Sequence, residues 1–521
     1  MVVIGAVAWF WAGRHRWFFR DEWDFLAARD GGDLRSLLRP HNEHWSTLPI
    51  LSYRLLWRAA GLHSYVPYQA VSITLHLVVA VLLRAVMRRA GVRPWIATAA
   101  ASLFVLFGAG FENIIWAFQS AWVAAIGFGL VHLLCADHER PGGRVDRRDA
   151  AGLAAGVASL LCSGVGVTTV FVVALAMVLR RQWRAAAFHS VPLGAVYVVW
   201  STTYGPDNYV ERRAGVGDLL AFVRIGAWEA MLGLGRSAVV GAGVVVLVLA
   251  GFLTVLLNRG ARLRAAPAIA LSVGAIVFIS IAAIGRVGVF GSEFARNSRY
   301  SYVIVALLLP AIALAADAIV QRRRAAVPVL AALLTIGLVG NAREMFAIRD
   351  DEAEDFARSR AVILTIPELP LTKTVPPRQR VDRSESLELT VGWLVANARE
   401  RRIPAPGDVT PVAEAAATLR LVLVQSAPRG NFYRTSRTCA PHGGGPIELS
   451  DGDVMVVERR ALITWTTEDG VQSWPRLFVP NAGRALFAFA VPLALDVDPL
   501  ERGRQQVPVT ICRSQAPRAG Q

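Results

Sequence analysis

With 521 residues of which 54% are apolar, the chain has more hydrophobic surface than one soluble core of ordinary size can bury, which excludes a single globular domain. Its formal charge of +16 is almost wholly arginine, Lys373 being the only lysine, and the arginines sit in short turns between apolar blocks. A nucleic-acid partner, which needs a continuous basic face, is excluded; loop-confined arginine is what the positive-inside rule favours. The Ala/Arg/Val/Gly bias at lysine's expense points to a high-GC bacterial genome.

In chain order, a short apolar segment over Val2–Gly13 predicts a first span, and it has neither the basic start nor the small-residue cleavage site of a secretory signal. Apolar blocks near 66–83, 94–110, 114–134, 150–162, 164–179, 186–201, 237–257, 267–284, 301–320 and 327–341 predict further helices, about eleven spans in all. The stretch 150–179 reads as a hairpin turning near Ser163-Gly164. Arginine-rich turns at Arg84–Arg93, Arg140–Arg148, Arg180–Arg184, Arg259–Arg264 and Arg322–Arg324 leave room for two crossings between neighbours, so all five fit on the cytoplasmic side. The other side then receives Arg14–Pro49, a turn near Gly108–Ile114, the loops Thr202–Arg236 and Arg286–Arg299, and everything after Asn341. The predicted fold is a polytopic α-helical membrane domain over 1–341 and an extracytoplasmic C-terminal domain over 342–521. Helical stretches are predicted at Arg349–Val362 and Glu385–Arg399, and short alternating strands make the domain β-rich from about 419. Cys439 and Cys512 share that domain and either pair or stay as separate thiols; Cys135 and Cys162 lie in or beside spans.

The polar loops carry the chemistry. Trp17-Phe18-Phe19-Arg20-Asp21-Glu22-Trp23 places adjacent acids among aromatics, which raises a carboxylate's pKa towards the range of a general base while Arg20 favours ionisation. An interfacial aromatic belt with solvated acids reads the same residues equally well. Further along, His41, Glu43 and His44 suit hydrogen bonding to a polyhydroxyl or phosphate ligand, metal ligation, or loop folding. Glu112 is an isolated acid where two spans turn, with Asn113 and Gln119 as polar companions, a placement that insertion costs of about 2.5–3.5 kcal/mol make worth explaining. The loop Tyr204–Arg213 offers sugar-stacking aromatics or mere solubility. Arg296 and Arg299, three apart, project together on a helical turn and suit a phosphate, or else snorkel to headgroups.

The ordered combination of many spans, the Asp21-Glu22-Trp23 acids after the first span, the Arg296-Asn297-Ser298-Arg299-Tyr300 segment and a large C-terminal domain resembles the GT-C superfamily of integral-membrane glycosyltransferases, in the actinobacterial type. The resemblance covers roughly residues 1–341. It implies sugar transfer from a polyprenyl-phosphate donor to a cell-envelope glycan, lipid or protein acceptor at a bacterial inner membrane, with the active site extracytoplasmic. Asp21 would be the base, with Glu22 its rival, and Arg296, Arg299 and Tyr300 would hold the donor phosphate. Arg20, His41, His44, Glu112 and Asn113 would contact substrate. A divalent metal is not required on this reading, though the histidine loop leaves it open. The C-terminal domain would orient the acceptor. A transporter, flippase or scaffold for lipid-linked glycans is the alternative, against which stand the lack of a convincing internal repeat and the gathering of polar residues on one side.

Overall fold

The computed structural model describes residues 1–29, 33–140, 145–205, 214–256, 259–382, 386–426, 437–479, 484–488, 492–500 and 507–514. The chain divides into two compact units. The first comprises Met1–Arg14, Gly31–Tyr53 and Val66–Asp351, and the second comprises His15–Asp30, Arg54–Tyr65 and Glu352–Gln521.

The first unit is helical. Helices stand at Val2–Ala12, Val66–Arg89, Pro94–Val105, Ser120–Ala136, Arg147–Leu160, Val165–Leu179, Trp183–Tyr204, Val216–Gly235, Ala238–Leu256, Arg259–Phe290 and Ser298–Arg322, and a helix of 39 residues starts at Val327 and ends at Thr365. Among the described residues five helical stretches are long and apolar enough to cross a membrane, or seven if each of two bent pairs makes one span. This is a multi-pass membrane protein. The remaining predicted spans fall mostly on shorter helices, Val2–Ala12, Arg147–Leu160 and Val165–Leu179, whose 11, 14 and 15 residues reach only about 17–23 Å at 1.5 Å per residue. The 150–179 hairpin turns where the sequence places it, between Leu160 and Val165.

One segment departs from the reading above. The loop predicted over 202–236 contains the helix Val216–Gly235, whose Arg224 and Glu229 interrupt an apolar run that includes the buried Phe222, Ile225 and Met231. It forms a pair with the helix beginning at Ala238, bent by 107° at Arg236, which takes a left-handed conformation. The aromatic, polar part of the predicted loop, residues 206–213, lies outside the described residues.

Bonds link the arginine turns at Arg84–Arg93, Arg140–Arg148 and Arg180–Arg184, and the first of them reaches the end of the helix before Arg322–Arg324. Arg93 donates to Asp317 (Nε···Oδ1 2.7 Å), Arg89 to the Asp137 carbonyl (3.1 Å), Arg180 Nη2 to Asp137 (3.1 Å), and Arg140 pairs with Asp149 and Gln182. Shared partners between turns distant in sequence are what a common side of the bundle requires.

In the second unit two antiparallel sheets enclose one core. The five-stranded sheet runs in the order 423–426, 484–488, 454–457, 509–514, 437–441, and the four-stranded sheet in the order 447–449, 493–499, 461–466, 477–479. Period-two alternation sorts the side chains: Met455 and Val457 enter the core between the sheets with Leu486, Ile463 and Leu495, while Val454 and Val456 join Ala485 and Cys512 on the opposite face. Cys439 and Cys512 lie opposite each other on neighbouring strands and form a disulfide. Residues 386–390, read as the start of a helix, form a strand; the helix begins at Val391, where the Thr390 hydroxyl caps it by accepting from Trp393 N–H.

Candidate functional site

The first unit's turns opposite the arginine end assemble a polar cluster. His41 and His44 exchange backbone hydrogen bonds (His41 N to His44 O 3.0 Å, His44 N to His41 O 2.9 Å) across a tight turn in which Asn42 takes a left-handed φ of 51°. That turn fixes both imidazoles. The His41 ring meets Phe118 edge-on at 5.1 Å, and the His44 ring meets Trp122 at 6.0 Å. Between them Glu43 receives a two-pronged ion pair from Arg286 (Nη1···Oε1 3.0 Å, Nη2···Oε2 2.7 Å), geometry that commits the carboxylate to a guanidinium instead of a metal.

His44 Nδ1 is buried without a hydrogen-bond partner. Burial, then the charges of Arg286, His41 and Arg299, lower its pKa to about 3, so this imidazole is neutral at physiological pH. A side chain at Gly164 would approach that nitrogen to 2.9 Å; the glycine keeps the space open.

Arg299 begins the helix Ser298–Arg322. Its guanidinium lies 5.2 Å from the centre of the Phe294 ring and 5.7 Å from that of Tyr300, it has no carboxylate partner among the described residues, and its Nε is buried and unpaired. Tyr300 is buried among Trp122, Phe222, Phe278 and Phe294. Arg296 stands apart: it is exposed and ion-paired to Glu293 (2.6 Å) and Glu229. The two arginines that the sequence joins as one grip thus have different surroundings.

The third wall is the segment between the helices Pro94–Val105 and Ser120–Ala136. Short helical turns at Gly108–Gly110, Phe111–Ile115 and Ala117–Gln119 fold it back into the bundle, where most of its residues are buried. Glu112 N–H donates to Ser298 Oγ (3.2 Å), which sets it beside the start of the Arg299 helix. Glu112 Oε2, both amide atoms of Asn113 and Gln119 Oε1 are buried without partners. Asn341 pins this segment: its Oδ1 accepts from Ala109 N–H (3.0 Å) while its Nδ2 donates to the carbonyls of Gly233 (3.0 Å) and Gly337 (2.9 Å). Gly108 is required there, since a Cβ would fall 2.2 Å from the Asn341 carbonyl oxygen.

The acids of the first polar loop belong to the second unit. Glu22 is wholly buried, and its oxygens accept from Phe19 N–H and from the Tyr65 hydroxyl, each at 3.1 Å. Asp21 is partly exposed. Arg20, exposed and with a left-handed φ of 49°, lies against the Phe19 ring.

Within the first unit, then, His44, Arg299, Tyr300, Glu112 and Asn113 belong to linked turns, with His41 beside them. Arg286, Trp122 and Ser298 complete the set. Sequence inspection passed over Arg286 as a site residue because it is separated from Glu43 by 243 positions; the unpaired charge of Glu43 in a histidine turn was the available signal. A different grouping, His138, Asp146 and Asp149, has ligand atoms within 4.8 Å of one another. Asp149 there already accepts from Arg140 and from His189 (3.0 Å), so the set is engaged in joining helices.

No family model matches the sequence, and no curated protein matches it. Two solved structures are similar to the chain. The crystal structure of ArnT from Cupriavidus metallidurans bound to undecaprenyl phosphate shares 13% identity with a TM-score of 0.49, covering 81% of this chain and 88% of that one. That of the same protein in the apo state shares 14% with a TM-score of 0.48, covering 78% and 88%.

Proposed function

We propose that the chain is a membrane glycosyltransferase that moves a sugar from a polyprenyl-phosphate donor to an extracytoplasmic envelope acceptor. The observation that carries this reading is the site in the first unit, where, among the described residues, the Arg299 guanidinium has no carboxylate partner and lies with a neutral imidazole and with carboxylate and amide atoms that have no partner, in a helical bundle able to cross a membrane. Such a site holds donors and an acceptor-type oxygen in place at little reorganisation cost, and its net charge suits a phosphate.

In the proposed step an acceptor hydroxyl oxygen attacks the anomeric carbon, the carbon–oxygen bond to the phosphate breaks, and the lipid phosphate leaves with the bonding pair. Arg299 stabilises the charge that develops on the phosphate, and the Arg286–Glu43 pair holds the histidine turn. His44, neutral, donates or accepts one hydrogen bond without adding a cation. The acceptor's proton goes to a carboxylate, Asp21 by the resemblance in sequence or Glu112 within the first unit. Positive charge on Arg299 serves where a nucleotide-sugar enzyme uses a metal.

The extracytoplasmic placement draws support from two features. Four of the five arginine turns are linked at one end of the bundle, which the positive-inside rule assigns to the cytoplasm. The Cys439–Cys512 disulfide suits an oxidising compartment, while Cys135 and Cys162 remain thiols. The alternative, a carrier for lipid-linked glycans, draws on the two bent helix pairs (52° and 107°), since broken helices line transport pathways.

The test is transfer of radiolabelled sugar from a panel of polyprenyl-phosphate donors by the purified chain, wild type beside Asp21→Asn and Glu112→Gln. Product from wild type and not from Asp21→Asn upholds the reading and its base. Turnover lost only in Glu112→Gln moves the base. No product from any donor, together with donor translocation across liposomes, makes the chain a carrier.

A further inference from the structure

The second unit contains a cavity of about 620 Å³ that no role given so far uses. Its volume lies within the range of small-ligand sites, roughly 300–1,000 Å³. The base is a buried ion pair, Arg420 Nε to Asp382 Oδ2 at 3.3 Å, both residues almost without exposure. Arg420 also donates to the carbonyls of Ala416 (3.0 Å) and Pro475 (3.3 Å). It is therefore satisfied, and its task is to hold the Trp474–Pro475–Arg476 segment at the cavity wall.

That wall carries the unusual chemistry. Arg476 lies 5.1 Å from the centre of the Trp474 ring and gives one nitrogen to Asp498 (Nη1···Oδ2 3.1 Å), yet its Nε is buried and has no partner. Arg460 lies 5.7 Å from the Phe478 ring and, among the described residues, has no carboxylate partner. Arg20 supplies a fourth arginine to the lining, against two aspartates, Asp355 and Asp382. A guanidinium laid on an aromatic face keeps its edge donors free, pre-aimed and partly dehydrated, and edge donors in pairs fit tetrahedral oxyanions. Beside them Trp474, 37% exposed, carries two guanidiniums against its ring, Arg476 and, at 5.4 Å, Arg358, which leaves part of its apolar surface open to a sugar.

We propose that this cavity binds a phosphate-bearing ligand of monosaccharide size, the phosphate held by Arg460 and Arg476 and the sugar set against the exposed part of Trp474. The inference stands on this unit alone and holds whether or not the chain transfers sugar. The phosphate can be that of a soluble sugar phosphate or of a lipid headgroup, since the edge donors recognise the same oxygens in both.

The experiment is calorimetric titration of the full chain in phosphatidylcholine nanodiscs with glucose 1-phosphate, glucose and inorganic phosphate. Glucose 1-phosphate should bind saturably, glucose weaker by about tenfold or more, and Arg460→Ala and Arg476→Ala should each weaken glucose 1-phosphate by at least about fivefold. Arg513→Ala, whose guanidinium pairs with Asp453 outside the cavity lining, should leave binding unchanged. Repeating the titration in phosphatidylglycerol nanodiscs separates the sources: lost binding assigns the site to headgroups, retained binding to a soluble phosphate, and both uphold a phosphate site. Absence of saturable binding, equal binding of glucose, or affinity unaffected in both cavity variants overturns the proposal. So does affinity lost only in Arg299→Ala, which would place the phosphate in the transfer site.

Discussion

Glu22 and Glu112 are both acids set among aromatic residues near a turn, one in each unit, and their surroundings differ completely. Glu22 has no exposure, and its oxygens are met by a backbone N–H and a tyrosine hydroxyl. Glu112 has an oxygen that is buried and has no partner, and the neighbouring Asn113 has two such atoms. Leaving a buried polar atom unpaired costs about 1–3 kcal/mol, so a fold that tolerates several in one place is giving up stability there. The second unit spends its buried carboxylates on architecture: Asp24 pairs with Arg29, Asp382 with Arg420, and Asp453 with Arg513 and Ser450 N–H. Local charge and aromatic company are alike for the two acids; the partners of their oxygens are not.

The largest effect is expected within the acidic pair that contains Glu22. Asp21→Asn should lower turnover by about 10²–10⁴, the usual worth of a general base, with donor affinity intact, whereas Glu22→Gln should lower the apparent melting temperature. Full loss of turnover in a folded Glu22→Gln protein would break the comparison. Next, replacing Cys439 and Cys512 together by serine should cost the second unit about 2–5 kcal/mol, read by denaturant unfolding, with the helical signal of the first unit unmoved.

Arg299→Ala should weaken polyprenyl-phosphate binding by about ten- to a hundredfold, the range of a charge-assisted hydrogen bond, and direct binding measurement checks it. Asn113→Leu sharpens the argument further, because an apolar side chain of similar size removes two unpaired atoms: the apparent melting temperature should rise by a few degrees while turnover falls. The smallest effect is on pH dependence. His44 has a pKa of about 3 in the folded protein against 6.5 when free, so below pH 6.5 the unfolded chain takes up a proton that the folded one refuses. Its contribution is complete above pH 6.5, declines as the pH falls and stops changing below about pH 3. His44→Gln should flatten that acid-side fall in a thermal scan between pH 7 and 4.

The helices were legible because apolar blocks and arginine turns are local signals, and nearly every predicted block became a helix. Val216–Gly235 was not, because Arg224 and Glu229 broke the apolar run that residues such as Phe222 and Ile225 carry inward. The strands beyond residue 419 were legible through alternation, although the first of these starts at Leu423 and follows directly on a helix capped by Thr410. In the site, single residues with strong chemical character stood out: His44, Glu112, Asn113 and Arg299. Pairings did not. Arg286 with Glu43 spans 243 positions, and nothing within a sequence window reports a partner that distant. The same limit hid the different surroundings of Arg296 and Arg299, which depend on Glu229 reaching Arg296 from 67 positions away.

The bond from Ala109 N–H to Asn341 crosses 232 positions, and it secures the folded-back segment that carries Glu112. Chains are made from the N-terminus, so that segment is in place long before its anchor exists. The segment around Glu112 is therefore secured late, when the helix bearing Asn341 arrives between Gly233 and Ala109. Until then the bundle can be inserted without a completed site, and a truncation upstream of Asn341 should yield a protein that reaches the membrane yet cannot hold its donor.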